Sequence, residues 1–144
     1  MLSNKTKYAL KALIALAKSQ PGQPVQISTL ATQEKIPQKF LELILLEMKH
    51  LGVLESRRGK DGGYLLNAHP STIMIGDVIR FLEGPLALLP CASTSRYKKC
   101  DDCVDEAACG LRRLMKEVRD TTAQLLDQTS LADIISPQEL NFHI

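Results

Sequence analysis

The chain has no tryptophan and only three tyrosines and three phenylalanines among 144 residues. A core with so few rings must be filled by leucine, isoleucine and alanine, and Leu and Ala favour helices over strands. Long apolar runs are also missing. The longest near the N-terminus is Ala12–Ala17, bracketed by Lys11 and Lys18. That is too short to cross a bilayer, and no small-residue cleavage site follows it, so neither a membrane span nor a signal peptide is expected. A cytoplasmic protein is the resulting expectation. Histidine is scarce: His50, His69 and His143 lie far apart, and none sits beside an evident nucleophile. No phosphate-cradling glycine loop is present, because "RGKDGG" lies between two extended runs rather than between a strand and a helix. These absences argue against an enzyme, and His50 reads as a basic residue near a helix C-terminus. Cysteine is absent from the whole chain except residues 91–109, which hold all four.

What is present fits one domain with a real core: 144 residues, 44% of them hydrophobic. The net charge of +2 conceals an asymmetry: residues 1–70 carry ten Lys/Arg and five Asp/Glu, residues 71–144 eight and eleven. A basic front half points to a polyanionic partner.

"NKTKYALKALIALAKS" predicts a helix with Tyr8, Ala9, Ala12, Leu13, Leu16 and Ala17 on its apolar face. "QPGQP" ends it. A short helix capped by Ser28 or its neighbour, a tight turn at Gln33–Lys35, and a longer helix follow. The longer helix opens at Pro37, buries Phe40, Leu41, Ile44, Leu45 and Met48, and stops at Gly52. That order is a helix-turn-helix pattern. Two extended runs, Val53–Arg57 and Tyr64–Asn67, flank Asp-Gly-Gly turn chemistry and a tip carrying Arg57, Arg58 and Lys60. A helix-turn-helix followed by a basic hairpin is the order of a winged helix. The expected fold class is therefore mainly α with a small β-hairpin wing.

"IMIGDVIRFLEGP" predicts another short helix, and a long one is expected from about Val104 to Thr129. In it Val104, Ala108, Leu111, Met115, Val118, Thr122, Leu125 and Thr129 step by 4,3,4,3,4,3,4. A 3.5-residue period favours pairing along a seam, and an amphipathic helix lying on its own domain is the alternative. "SLADIISPQEL" closes with a short helix and a tail to Ile144. The expected organisation is a winged helix-turn-helix domain over 1–84, a cysteine-rich sensor loop over 85–103, and a dimerisation helix with C-terminal segment over 104–144.

"KYALKAL", "KFLELIL", "RGKDGGYLL", "IGDVIRFLEG", the cysteine loop and "SLADII", in this order, resemble the IscR/NsrR/CymR-type winged-helix transcription regulators across essentially the whole chain. The resemblance implies a homodimer crossed by its long helices, reading a palindromic operator in double-stranded DNA. Recognition helices place their N-terminal side chains against base edges, here Gln38, Lys39 and Glu42. Gln suits adenine, Lys guanine and Glu cytosine. A solvated Lys39–Glu42 pair without a partner is the bland reading. Arg57, Arg58 and Lys60 would serve the wing, and Lys5, Lys7 and Thr29 are candidate phosphate contacts.

The resemblance also implies a cluster held through C-x5-C-x5-C plus a variable fourth ligand. This chain reads Cys91-x8-Cys100-x2-Cys103-x5-Cys109, so eleven residues separate Cys91 from Cys103 and Cys100 is an additional thiol. Arg112 stands where some relatives have a histidine ligand, and Lys7 where others supply an acidic residue from the partner. Cys100 completes a four-thiolate set, suited to a 2Fe–2S or 4Fe–4S iron–sulfur cluster. Tetrahedral zinc, a disulfide switch (Cys100–Cys103 or Cys91–Cys109) and inert thiols remain open. Asp101, Asp102, Asp105 and Glu106 raise thiol pKa values, while Arg96, Lys98 and Lys99 oppose them. An iron–sulfur electron carrier or interaction protein is the competing class, though it has no use for a basic wing.

Overall fold

The structure is a computed structural model describing residues 2–138 and 140, so His143 and the end of the tail lie outside the described residues. Six helices and one hairpin follow in the order α1 (Asn4–Lys18), α2 (Ile27–Glu34), α3 (Gln38–Leu51), β1 (Leu54–Arg57), β2 (Gly63–Leu66), α4 (Ile75–Glu83), α5 (Gly110–Asp127) and α6 (Leu131–Ile135). The mainly helical expectation and the two-stranded wing are both met.

Helix α1 starts at Ser3, whose hydroxyl accepts from the Thr6 amide, and buries Thr6, Ala9, Ala12, Leu13 and Leu16 along one stripe. Helix α2 begins at Ile27 with Gln26 in the cap position and no side-chain cap, so Ser28 lies inside the helix instead of capping it. The turn comes later than the sequence suggested. Gln33 and Glu34 remain helical, and Lys35 alone reverses the chain in the left-handed region at φ 55°. A lysine there tolerates strain that glycine would avoid. Its amide bonds the Ala31 and Thr32 carbonyls, and Ile36, next in sequence, is buried and anchors the turn to the core.

Pro37 caps α3 instead of opening it, and Gly52 ends the helix in a left-handed conformation. Leu41, Ile44, Leu45 and Met48 are fully buried as expected, whereas Phe40 is half-buried, edge-on to Tyr8. In the wing, Leu54 pairs with Leu66 and Arg57 with Gly63. A third strand segment is supplied from afar: Val25 and Tyr64 exchange two backbone hydrogen bonds of 2.8 and 2.9 Å. Gly63 makes this possible, since a Cβ there would sit 2.2 Å from the Val25 carbonyl oxygen.

The C-terminal segment returns to the winged helix. Met74 and Ser130 form an antiparallel bridge, Ser130 and Asp133 make a capping box for α6, and Leu131 is fully buried in the core with Leu13, Leu41 and Val78. Helix α5 joins α4 through Arg80, whose guanidinium grips Asp127 at 2.5 and 2.8 Å.

The long helix is shorter than the heptad spacing suggested. Residues 104–109 are turns and loop, Val104 is 97% exposed, and Ala108 lies outside the helix. The cause is local. The Asp105 carboxylate takes the amides of Ala107 and Ala108, forming a side-chain turn, and Cys109 then caps α5 with its sulfur accepting the Arg112 amide at 3.4 Å. The seam begins at Leu111 and continues through Met115, Val118, Thr122 and Leu125, none of them buried in the single chain.

Candidate nucleic-acid interface and cysteine loop

On α3 the buried stripe leaves an outward arc of Lys39, Glu42, Leu43, Leu46, Lys49 and His50, every one exposed. The bland Lys39–Glu42 pair does not form. Gln38 donates to Glu42 at 3.5 Å instead, one helical turn along, and the Lys39 ammonium has no partner among the described residues. Lys49 is turned to the wing, donating to the Ser56 hydroxyl at 2.7 Å.

The other predicted DNA contacts divide into engaged and free. Lys5 is bound to Glu47 on α3 at 3.2 Å, and Lys7 lies over its neighbour Tyr8, 5.3 Å from the ring centroid. Arg57 bonds the Gly22 carbonyl at 3.1 Å and Glu55 at 3.2 Å, so it fastens the wing to the α1–α2 turn. Arg58 and Lys60 are exposed at the tip, with no ion-pair partner among the described residues. Thr29 is exposed on α2 beside Ser28, Thr32 and Gln33, which together line an open groove of about 380 Å³. Sequence reasoning passed over Leu43 and Leu46, although their spacing from Lys39 places them on the same arc.

The cysteine loop is fastened at its base and open beyond. Cys91 lies buried in a single 3₁₀ turn, Pro90–Ala92. Arg112 of α5 donates to the Cys91 carbonyl at 3.0 Å, and Arg119, two turns on, donates to the Ala92 carbonyl. Arg112 thus ties down the backbone of the first cysteine of the loop. The Cys100 thiol lies beside that of Cys91. The neighbouring Cys91 thiol chiefly pushes the Cys100 pKa up, followed by desolvation and the negative surroundings of Cys91, Asp102 and Cys103. The acidic and thiol neighbours therefore prevail at Cys100 over Lys98 and Lys99, which are exposed. Cys103 donates its amide to the Cys100 carbonyl at 3.1 Å. Tyr97 donates to Glu106, which raises the phenol pKa.

Four thiols within one loop have the donor chemistry of an iron–sulfur or zinc site. Their placement does not match it. All four are free, and among the described residues no three Cys, His, Asp or Glu converge as metal ligands. The structure brings Cys91 and Cys100 together with Cys103 next to them, and leaves Cys109 at the helix cap.

A short helix, a sharp turn, a longer helix with a polar outer arc and a basic hairpin define a winged helix-turn-helix protein, here extended by a thiol loop and a long helix. Residues 2–137 match the model of the Rrf2 family, described as an iron-dependent transcriptional regulator. An rrf2-like HTH-type transcriptional regulator of Rhodobacter capsulatus is 42% identical over 139 residues, covering 94% of this chain and 93% of that one. The structure of CymR, the global cysteine regulator of Bacillus subtilis, superposes with a TM-score of 0.79 at 31% identity, over 96% of this chain and 98% of that one. IscR of T. potens gives a TM-score of 0.72 at 27% identity, over 94% and 85%. The chain belongs to the Rrf2 family of transcription regulators and is not an enzyme. Among the described residues no helix is long and apolar enough to cross a membrane.

Proposed function

We propose that the chain acts in the cytoplasm as a homodimer that binds a palindromic operator in double-stranded DNA, with the state of its cysteine loop setting the affinity. The observation that carries this reading is the double role of α5. One side of the helix holds the base of the loop through Arg112 and Arg119. Its seam is only partly covered, with Leu111 57% exposed and Met115, Val118, Thr122 and Leu125 partly so, a length of mainly apolar surface suited to the same helix of a second copy. Anything that rearranges the loop acts on the helix that spaces the two α3 helices, and half-site spacing follows dimer geometry. Gln38, Lys39 and Glu42 meet base edges. Arg58 and Lys60 meet phosphates, and Lys5, Lys7, Thr29 and Arg57 support them from the flanks.

An iron–sulfur cluster is the ligand that the family's iron dependence and the thiolate chemistry of the loop suggest. Cys91, Cys100, Cys103 and Cys109 would be its ligands, and to hold it they would have to converge beyond their present positions. A thiol switch is the second reading. It is favoured by the neighbouring Cys91 and Cys100 thiols, a pairing different from either disulfide expected from the sequence. Zinc fits the same four donors. Anaerobic purification followed by a visible spectrum and iron, sulfide and zinc analysis separates the three. Operator titrations of the loaded, stripped and oxidised forms then test the regulator itself. Equal affinity in every state would refute control through the loop.

A further inference from the structure

The outward arc of α3 contains a side chain that folding does not use. Leu41, Ile44, Leu45 and Met48 already bury the inner stripe completely, yet Leu43 points away from it and is 62% exposed. A single exposed leucine is ordinary. This one is four residues beyond Lys39, so the two share a face, about one turn from the N-terminal end of the helix. Lys39 on the same face and Arg58 and Lys60 on the wing are exposed and have no ion-pair partner among the described residues, as suits contact with a polyanion. In a major groove, an apolar side chain between polar base contacts has one apolar feature to meet, the 5-methyl group of thymine.

We propose that Leu43 is a specificity-determining residue that reads a thymine methyl in each operator half-site, beside the base edges met by Lys39 and Glu42. This rests on the DNA-binding reading above. Leu46 lies a further turn along the helix and is less exposed, at 44%, and recognition helices read bases mainly near their N-terminal end. It therefore serves as the control.

The test begins with in vitro selection of duplexes from a random library by the full-length protein. In the selected operator, each thymine is then replaced singly by deoxyuridine, which removes only the methyl. Affinities are measured for the wild type, Leu43→Ala, Leu43→Gln and Leu46→Ala. At one thymine per half-site, methyl removal should weaken the wild type about fourfold, the worth of one buried methyl-sized group. Leu43→Ala and Leu43→Gln should lose that dependence, and Leu46→Ala should keep it. Because Leu43 is exposed, both substitutions leave the fold intact, which circular dichroism verifies. Methyl dependence that is absent, or equal in wild type and Leu43→Ala, overturns the proposal. So does an unchanged methyl profile with an altered sedimentation coefficient, which would make Leu43 part of an interface between copies. Failure to enrich any sequence removes the DNA-binding reading itself, and this inference with it.

Discussion

Gly63 is where the wing meets the rest of the protein, and replacing it with alanine tests that attachment. Its φ of +150° is one that side-chain-bearing residues rarely adopt, and an added Cβ would lie 2.2 Å from the Val25 oxygen and 2.5 Å from the Val25 carbonyl carbon. Both are backbone atoms, so no rotamer change relieves the clash. Two costs follow. Holding alanine at such a φ costs about 2 kcal/mol. Pushing Val25 away from Tyr64 breaks two backbone hydrogen bonds worth about 1 kcal/mol each. Gly63→Ala should therefore destabilise the docked wing by roughly 4 kcal/mol. Gly59 supplies the control: it too has positive φ, at +105°, but nothing lies within 4 Å of its Cβ position, so Gly59→Ala should cost only the strain, about 2 kcal/mol. Urea unfolding of both variants gives the difference. Amide exchange at Val25 and Tyr64 shows whether the loss is global or confined to the wing. If Gly63→Ala lies within about 0.5 kcal/mol of Gly59→Ala and both amides stay protected, the close-approach argument is wrong.

Leu131→Ala, in the short final helix, should cost about 2–5 kcal/mol in urea unfolding, because the side chain is fully buried; a cost below 1 kcal/mol would mean that α6 is not part of the core. The Ser3 and Thr6 hydroxyls, followed by the Ser3 amide donating at 2.6 Å, hold the Glu83 pKa down, to about 2 from 4.5. The sign follows: a lowered folded-state pKa stabilises above pH 4.5, and that contribution is lost as pH falls toward 2. Glu83→Gln should flatten thermal stability across that window, and an unchanged profile would show that the contact contributes nothing. Arg58→Ala with Lys60→Ala should weaken operator binding on every sequence alike and reduce the salt slope by about 2, whereas a change in sequence preference would contradict a phosphate role.

Much of the fold could be read from local pattern. The stripe Ala9, Ala12, Leu13, Leu16, the break at "QPGQP", the stop at Gly52 and the Asp-Gly-Gly turn each depend on residues within a few positions of one another. The local pattern failed where a side chain competed with the backbone. Asp105 captured the amides that the heptad spacing assigned to a helix, so Val104 and Ala108 left the seam. At Lys35, burial of Ile36 imposed a left-handed turn on a residue that does not favour one.

The sequence by itself determined the order of elements, the outward placement of Lys39 and Glu42, and the gathering of four thiols in one loop, because helical period and turn chemistry act over short range. Tertiary structure alone decided the pairings between distant segments: Val25 with Tyr64, Met74 with Ser130, Arg80 with Asp127, and Cys91 with Cys100. It also separated Lys39, Arg58 and Lys60, which have no ion-pair partner among the described residues, from Lys5 and Arg57, which are held by Glu47 and by Gly22 and Glu55. Which partner a charge or a backbone edge meets depends on how the packed core orients whole elements, and that information is spread over the entire chain.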